Sequence, residues 1–199
     1  MHKAWLILSA ICVMLFCGPV SRAQDKFEIY AGFSYLRPSV TLDLNSAICP
    51  VGVLPPCGPP VPTGTHPNMK GWEIAGTYNL NSWLGATVDI NGDYAKYDGA
   101  NLHVQNYLFG PQVRRQGKIS PYAHVLLGVA HESLAVLSSP GFTNPGTAKA
   151  FSAAAGAGID IRMASFASFR AIQLDYIVTR FGAATQSDAR ASVGFMIHF

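Results

Sequence analysis

The chain has 199 residues, of which 49% are hydrophobic, 11% aromatic and only 13% charged, with a formal net charge of +3. Ordinary globular chains carry about 25% charged residues, so this composition excludes a disordered chain and implies that much of the surface does not face water. Setting aside Lys3 and Arg22 with an N-terminal leader leaves 12 basic and 11 acidic residues, a net of +1, and nothing in that balance asks for nucleic acid.

Met1 to Ala23 reads as a cleaved secretory signal. Lys3 supplies the positive start, Ala4 to Phe16 the apolar centre, and Ser21-Arg22-Ala23 the small residues of a cleavage site. A membrane anchor is the alternative, but the apolar run is short and ends at Gly18-Pro19. Phe16 before Cys17 is too bulky for a lipid-attachment signal. The mature chain, residues 24–199, is expected to form one domain.

Cys12 and Cys17 leave with the leader, so one pair remains, Cys49 and Cys57. In an oxidising compartment these two are placed to close a small ring stiffened by Pro50, Pro55 and Pro56, and we expect a disulfide. Free thiols are the alternative. Two thiols with only His66 nearby lack the ligand set of a closed zinc site.

Beyond the leader no apolar run approaches the roughly 20 residues of a membrane helix. Period-two alternation appears instead, the mark of a strand with one apolar face. Along Lys26 to Leu36, Phe27, Ile29, Ala31, Phe33 and Tyr35 oppose Glu28, Tyr30, Gly32 and Ser34. A second run sets Trp72, Ile74, Gly76, Tyr78 and Leu80 against Glu73, Ala75, Thr77 and Asn79. After Asn81-Ser82, a third sets Leu84, Ala86, Val88, Ile90 and Tyr94 against Gly85, Thr87, Asp89, Asn91 and Asp93, so the two form a hairpin. In the fourth, Asn101 to Arg114, Tyr107, Phe109 and Val113 are assigned one way and Leu108, Gly110 and Gln112 the other.

The fifth strand, Ile119 to Ser133, separates Ala123, Val125, Leu127 and Val129 from His124, Leu126, Gly128 and Ala130. The sixth, Ala150 to Arg162, separates Phe151, Ala153, Ala155, Ala157, Ile159 and Ile161 from Ser152, Ala154, Gly156, Gly158, Asp160 and Arg162; its glycines argue against a helix. The seventh, Phe169 to Phe181, separates Ile172, Leu174, Tyr176 and Val178 from Gln173, Asp175 and Thr179. The eighth sets Ala191, Val193, Phe195, Ile197 and Phe199 against Arg190, Ser192, Gly194, Met196 and His198.

Strands of this length match the 9 to 11 residues or so that cross a bilayer at a tilt. The connections are expected to alternate: short turns at Asn81-Ser82, Arg115 to Lys118 and Met163 to Ser168, longer ones at Arg37 to Lys70, Ala95 to Ala100, Leu134 to Lys149 and Gly182 to Ala189. Aromatic residues fall near strand ends, among them Phe27, Tyr35, Trp72, Trp83, Tyr94, Phe151, Phe169, Phe181 and Phe199, as in the interfacial girdles of a membrane barrel. The expectation is an all-β, eight-stranded antiparallel up-and-down transmembrane barrel.

The C-terminal strand, with Phe199 last and Ile197, Phe195 and Val193 at every second position before it, resembles the signal read by the barrel-assembly machinery. Tyr107-Leu108-Phe109-Gly110-Pro111 followed by Pro121-Tyr122-Ala123 resembles the central hairpin of the eight-stranded outer-membrane β-barrel superfamily that includes the OmpA membrane domain and OmpX. The resemblance covers essentially all of Asp25 to Phe199. It implies a bacterial outer-membrane location with periplasmic termini and extracellular long loops, and contact with outer-membrane lipid and lipopolysaccharide. A monomer with no cofactor is expected. Because no further segment follows the eighth strand here, no peptidoglycan-binding domain and no cell-wall anchoring are expected.

Alternation alone does not say which face points inward, and a soluble lipocalin-like barrel would invert the assignment. The small residues of the polar face, such as Gly32, Ala154, Gly156 and Gly194, suit a narrow interior. On that reading Glu28, Glu73, Asp89, Asp93, Asp160 and Asp175 point inward with Arg162, Arg190, His124, His198 and Arg114. Two ion-pair clusters are expected, Glu73, Asp93 and Arg190 near the outer end and Glu28, Arg162 and His198 near the periplasmic end. These charges read as the polar filling of a small barrel, with an ion path as the alternative. His131 and Ser133, two apart on the lipid side, resemble the active strand of lipid A deacylases, but no orienting acid can be placed beside them, and no catalytic residue or metal site is assigned. The expected role is structural or surface-interacting, through loops that include the proline-rich stretch from Pro50 to Pro67. A narrow channel for ions or small solutes is the alternative, and lipid A modification a more remote one.

Overall fold

A computed structural model of the protein describes residues 25–38, 68–97, 100–136, 147–181 and 184–199. The leader and both Cys49 and Cys57 lie outside the described residues. Each alternating segment becomes a strand: β1 Phe27–Pro38, β2 Met69–Asn79, β3 Leu84–Tyr97, β4 Ala100–Arg114, β5 Ile119–Val136, β6 Thr147–Arg162, β7 Ala167–Phe181 and β8 Ala184–His198. Every strand pairs antiparallel with its neighbours in sequence, and β8 closes onto β1 from Glu28 opposite His198 to Pro38 opposite Asp188. Closure leaves no strand edge without a partner.

Three tight connections share one rim with Lys26 and Phe199, here called the terminal rim. Between β2 and β3, the Asn81 side-chain carbonyl accepts the Trp83 and Leu84 amides at 3.0 and 2.8 Å, an Asx turn that fixes the reversal. Between β4 and β5 the Gly117 amide donates to Ser120 Oγ, and that hydroxyl returns a bond to the Gly117 carbonyl, both at 3.1 Å. The Met163 and Ala164 amides bond the Ala167 carbonyl before β7.

At the opposite rim the expected connections from Ala95 to Ala100 and from Gly182 to Ala189 are replaced by longer strands. The β3–β4 ladder runs on to Tyr97 opposite Ala100, and the β7–β8 ladder to Phe181 opposite Ala184, so only 98–99 and 182–183 separate them. Hydrophobic alternation fades before backbone pairing ends, because a hairpin extending past the apolar zone still satisfies its own amides. The longer connections at this rim are 39–68 and 137–146.

The faces sort as charge and size require. Outside, Phe109 is 60% exposed, Leu174 55% and Phe195 62%; inside, Glu73, Asn91, Asp93 and Gln173 are fully buried. The fourth strand follows its assigned phase, with Tyr107 and Phe109 outward and Leu108 and Gln112 inward. The seventh breaks its period. Asp160 pairs with Arg170 and Ile159 with Ile172, so Ala171 is an extra residue and a β-bulge switches the phase. Ser168 and Arg170 consequently point inward with Gln173 and Asp175.

The lumen is not polar throughout. Leu36, Met69, Ala95, Leu102, Leu108, Leu126, Ala154 and Ile177 pack together as one buried cluster drawn from seven of the eight strands. This layer, with Leu36, Met69, Ala95 and Leu102 near the opposite rim, puts an apolar plug across the barrel. Eight strands leave an interior that side chains just fill.

Candidate functional site: the ion network of the lumen

Arg190 on β8 is 1% exposed and sits among carboxylates from three other strands. Its Nη2 lies 2.8 Å from Asp175 Oδ2, 3.2 Å from Asp89 Oδ2 and 3.7 Å from Glu73 Oε1, and its Nε donates to Asp175 at 2.9 Å. The remaining lone pairs are satisfied by neutral donors. Gln173 Nε2 donates to both Glu73 and Asp175 at 2.7 Å, Ser192 donates to Glu73, and Asn91 donates to Asp89 at 2.7 Å. His124 Nε2 closes the far side of Asp175 at 2.8 Å. A chain of amides continues from here, Asn106 donating to Asn91 at 2.9 Å and Ser152 to Asn106 at 3.3 Å.

Arg170, brought inward by the bulge, occupies the next level. Its guanidinium is sandwiched 4.2 Å from the ring centroids of Tyr30 and Tyr122, donates to Asp160 at 2.8 and 3.2 Å, and donates to Gln173 at 2.6 Å. Glycines make room for both rings. A Cβ on Gly32 would collide with the Tyr30 hydroxyl, and one on Gly158 with that of Tyr122. A planar cation between two π-faces, with its edge on a carboxylate, uses the guanidinium in every direction available to it.

Toward the terminal rim, Arg114 pairs with Glu28 and reaches Asp160 at 3.5 Å, and Arg162 pairs with Asp25. His198 Nδ1 stands 3.3 Å from Glu28, and its Nε2 is 2.7 Å from Ser168 Oγ. Asn79 also donates to Glu28, at 3.0 Å. Hydroxyl, imidazole and carboxylate in this order make a relay, yet the cavity beside them is about 10 Å³, room for a water and for no acyl group. Asp25, Glu28 and His198 bring ligand atoms within 4.8 Å of one another, but both carboxylates already carry an arginine partner. Glu28, Arg114, Ser168 and His198 thereby link β1, β4, β7 and β8 at this end of the lumen.

Of the residues singled out in the sequence, Glu28, Glu73, Asp89, Asp93, Asp160, Asp175 and Arg190 are buried in the lumen, while Arg162 is half-buried at the terminal mouth. The grouping differs from the two clusters expected. Asp93 stands apart from Arg190 and accepts a 2.6 Å bond from Ser34, whereas Asp89 and Asp175 complete the Arg190 site. Strands four, five and seven contribute as well, through Arg114, His124, Arg170 and Asp175. Arg170 was hidden from sequence reading because a period count carried through Ala171 puts it outside. Its one signal is that a lone arginine among Phe169, Ile172 and Leu174 would otherwise face lipid.

On the outer face, Val193, Phe195, Ile197 and Phe199 are all exposed along the last strand. His131 stands opposite Gln105 and Lys149, and Ser133 opposite His103 and Thr147. Glu132 between them is on the inward phase, and no carboxylate among the described residues is exposed on the outer face to orient His131.

No protein-family model matches the sequence, and no curated protein matches it. Solved structures do match in fold. Ail, the attachment invasion locus protein of Yersinia pestis, in complex with the heparin analogue sucrose octasulfate, aligns at a TM-score of 0.57 and 14% identity, covering 89% of this chain and 100% of that one. Neisserial surface protein A aligns at 0.60 and 13% identity, over 87% of this chain and 97% of that one. The outer membrane protein OprG from Pseudomonas aeruginosa aligns at 0.57 and 16%, over 88% and 96%. At these identities the likeness is one of architecture, and the chain has the fold of the eight-stranded outer-membrane β-barrels.

Proposed function

We propose that this protein is an integral barrel of a bacterial outer membrane, with its termini periplasmic and the opposite rim extracellular, acting as a closed structural or surface-interaction element without catalysis. One observation carries the reading: along the described strands the outer face presents large apolar side chains to the surroundings, while the described carboxylates are buried or half-buried. An exposed apolar patch of a few hundred Å² is the usual ceiling on a soluble monomer, and a continuous band exceeds it. The apolar plug and the ion pairs that cross the lumen support a lumen that passes no ions. The connections 39–68 and 137–146 then supply the surface for partners, the first braced by a Cys49–Cys57 disulfide, while lipid and lipopolysaccharide contact the wall. Val193, Phe195, Ile197 and Phe199 act as the strand recognised by the assembly machinery.

Membrane fractionation with heat-modifiable gel mobility tests the location: a membrane barrel gives a detergent-extracted, heat-modifiable band. A protein recovered soluble from the periplasm overturns it. Planar-bilayer recording tests the closed lumen, and discrete conductance steps would replace this reading with the narrow channel.

A further inference from the structure

Side chains from the first and last strands of the barrel meet at the terminal rim. Asp25 stands two residues before β1, Glu28 is the second residue of β1, and His198 is the last of β8. Their ligand atoms, one from each side chain, all lie within 4.8 Å of one another. His198 Nδ1 is 3.3 Å from Glu28 Oε1 and 3.6 Å from Asp25 Oδ2. A charge-assisted hydrogen bond closes to about 2.7 to 2.9 Å, so both separations are long for a shared proton. They lie nearer the edge of a ligand tetrahedron, about 3.3 Å when each ligand stands about 2.0 to 2.1 Å from a zinc ion.

The surroundings supply what such an ion needs. His198 Nε2 is 2.7 Å from Ser168 Oγ, and a ring proton donated there leaves the Nδ1 lone pair facing the two carboxylates. A partner on the other ring nitrogen is how a metal-ligating imidazole is held. The cavity beside the three residues, about 10 Å³, has room for one water as a fourth ligand. Arg114 lines the same cavity, and its buried Nε has no hydrogen-bond partner among the described residues; an oxygen held there gives it an acceptor. The arginines on the two carboxylates leave the site open. Arg114 takes Glu28 Oε2, not the Oε1 that faces His198, and although Oε1 accepts a bond from Asn79 at 3.0 Å it keeps a second lone pair. Arg162 and Asp25 form a pair whose side chains are 25% and 27% exposed, so the guanidinium can turn into water when a dication takes the carboxylate.

We propose that Asp25, Glu28 and His198 bind one divalent transition-metal ion of the zinc type, which staples the first strand of the barrel to the last. An imidazole beside two carboxylates favours such an ion over calcium or magnesium, which take oxygen ligands. The site depends on the closure of β8 onto β1 and not on the compartment the barrel occupies.

The test uses the purified mature barrel, folded in detergent and free of any affinity tag, titrated with zinc chloride by calorimetry, with bound zinc counted after gel filtration. One saturable zinc per barrel is expected, undisturbed by calcium or magnesium, together with a rise in the temperature at which the barrel unfolds. D25N and H198A should each lose both the zinc and that rise. S168A should weaken binding roughly 10- to 100-fold, because the imidazole loses its support. R162Q should tighten it about fivefold, since it removes the cation that competes for Asp25. H131A, on the outer wall, should leave binding unchanged. A wild-type barrel with no saturable zinc, or zinc retained alike by D25N and H198A, overturns the site. Should H198A not fold, D25N and R162Q at the partly exposed mouth decide the matter, and binding unaltered in both refutes it.

Discussion

Replacing Arg190 by methionine removes the only cation within 4 Å of Glu73 and Asp89 among the described residues, while leaving a side chain of similar length in the lumen. Asp175 keeps His124, but Glu73 and Asp89 are left with neutral donors alone. Taking one partner from a buried pair costs about 3 to 5 kcal/mol, because the remaining charge is stranded in low dielectric. That is about two to four powers of ten in the folding equilibrium. Denaturant unfolding of the barrel in lipid vesicles, followed by tryptophan fluorescence, reads the change as a lower midpoint. The triple variant Arg190→Met with Glu73→Gln and Asp89→Asn should regain most of the loss, since it removes the stranded charges along with their partner. Arg190→Lys should fall between, keeping the charge but not the planar fork that reaches three carboxylates at once. A single Arg190→Met variant with the wild-type midpoint would refute the claim that this cation organises the lumen.

Arg170→Lys should destabilise by about 1 to 3 kcal/mol in the same assay, because an ammonium cannot stack between Tyr30 and Tyr122 and hold Asp160 in the same plane. Gly158→Ala should cost about 1 to 3 kcal/mol by displacing the Tyr122 ring, while Gly76→Ala, whose added Cβ would meet only Phe27 at 3.7 Å, should leave the midpoint unchanged. Phe199→Ala should lower the amount of protein assembled in the outer membrane of expressing cells, with little change in the midpoint of refolded protein, because the ring is 65% exposed. Equal loss in both measurements would make Phe199 a packing residue and not a recognition signal.

Much of the architecture is legible in the sequence because a barrel wall imposes one rule on every strand. Residues such as Phe27, Ile29 and Phe33 meet lipid and Glu28, Tyr30 and Ser34 meet the lumen, and the two-residue repeat of the pleat writes that rule directly into the chain. The rule fails where the pleat itself is interrupted. Ala171 adds one residue to β7, and every inference of face on its N-terminal side inverts, which is how Arg170 escapes notice. Strand ends are also poorly marked. Lys96-Tyr97 and Ala184-Thr185 remain paired after their side chains cease to alternate, since hydrogen bonding and hydropathy end at different heights. The apolar plug was half visible: Leu108 and Leu126 fall on the inward phase, but their convergence with Leu36, Met69 and Ile177 depends on the stagger between strands. Choosing which carboxylates surround Arg190 depends on that same stagger, so Asp93 and Asp89 are hard to tell apart from the sequence, while in three dimensions one touches Ser34 and the other the guanidinium.

Two tryptophans of the described chain report on the wall from opposite ends. Trp72 lies three residues from the start of β2 near the opposite rim, 37% exposed, and Trp83 lies in the tight turn before β3 at the terminal rim, 45% exposed. Fluorescence of Trp72→Phe and Trp83→Phe variants, refolded into vesicles whose acyl chains are brominated at shallow or deep positions, measures directly whether the apolar face meets lipid. Both tryptophans should be quenched, more strongly by bromines near the headgroups than by bromines at the bilayer centre. Emission indifferent to bromination at every depth would contradict it.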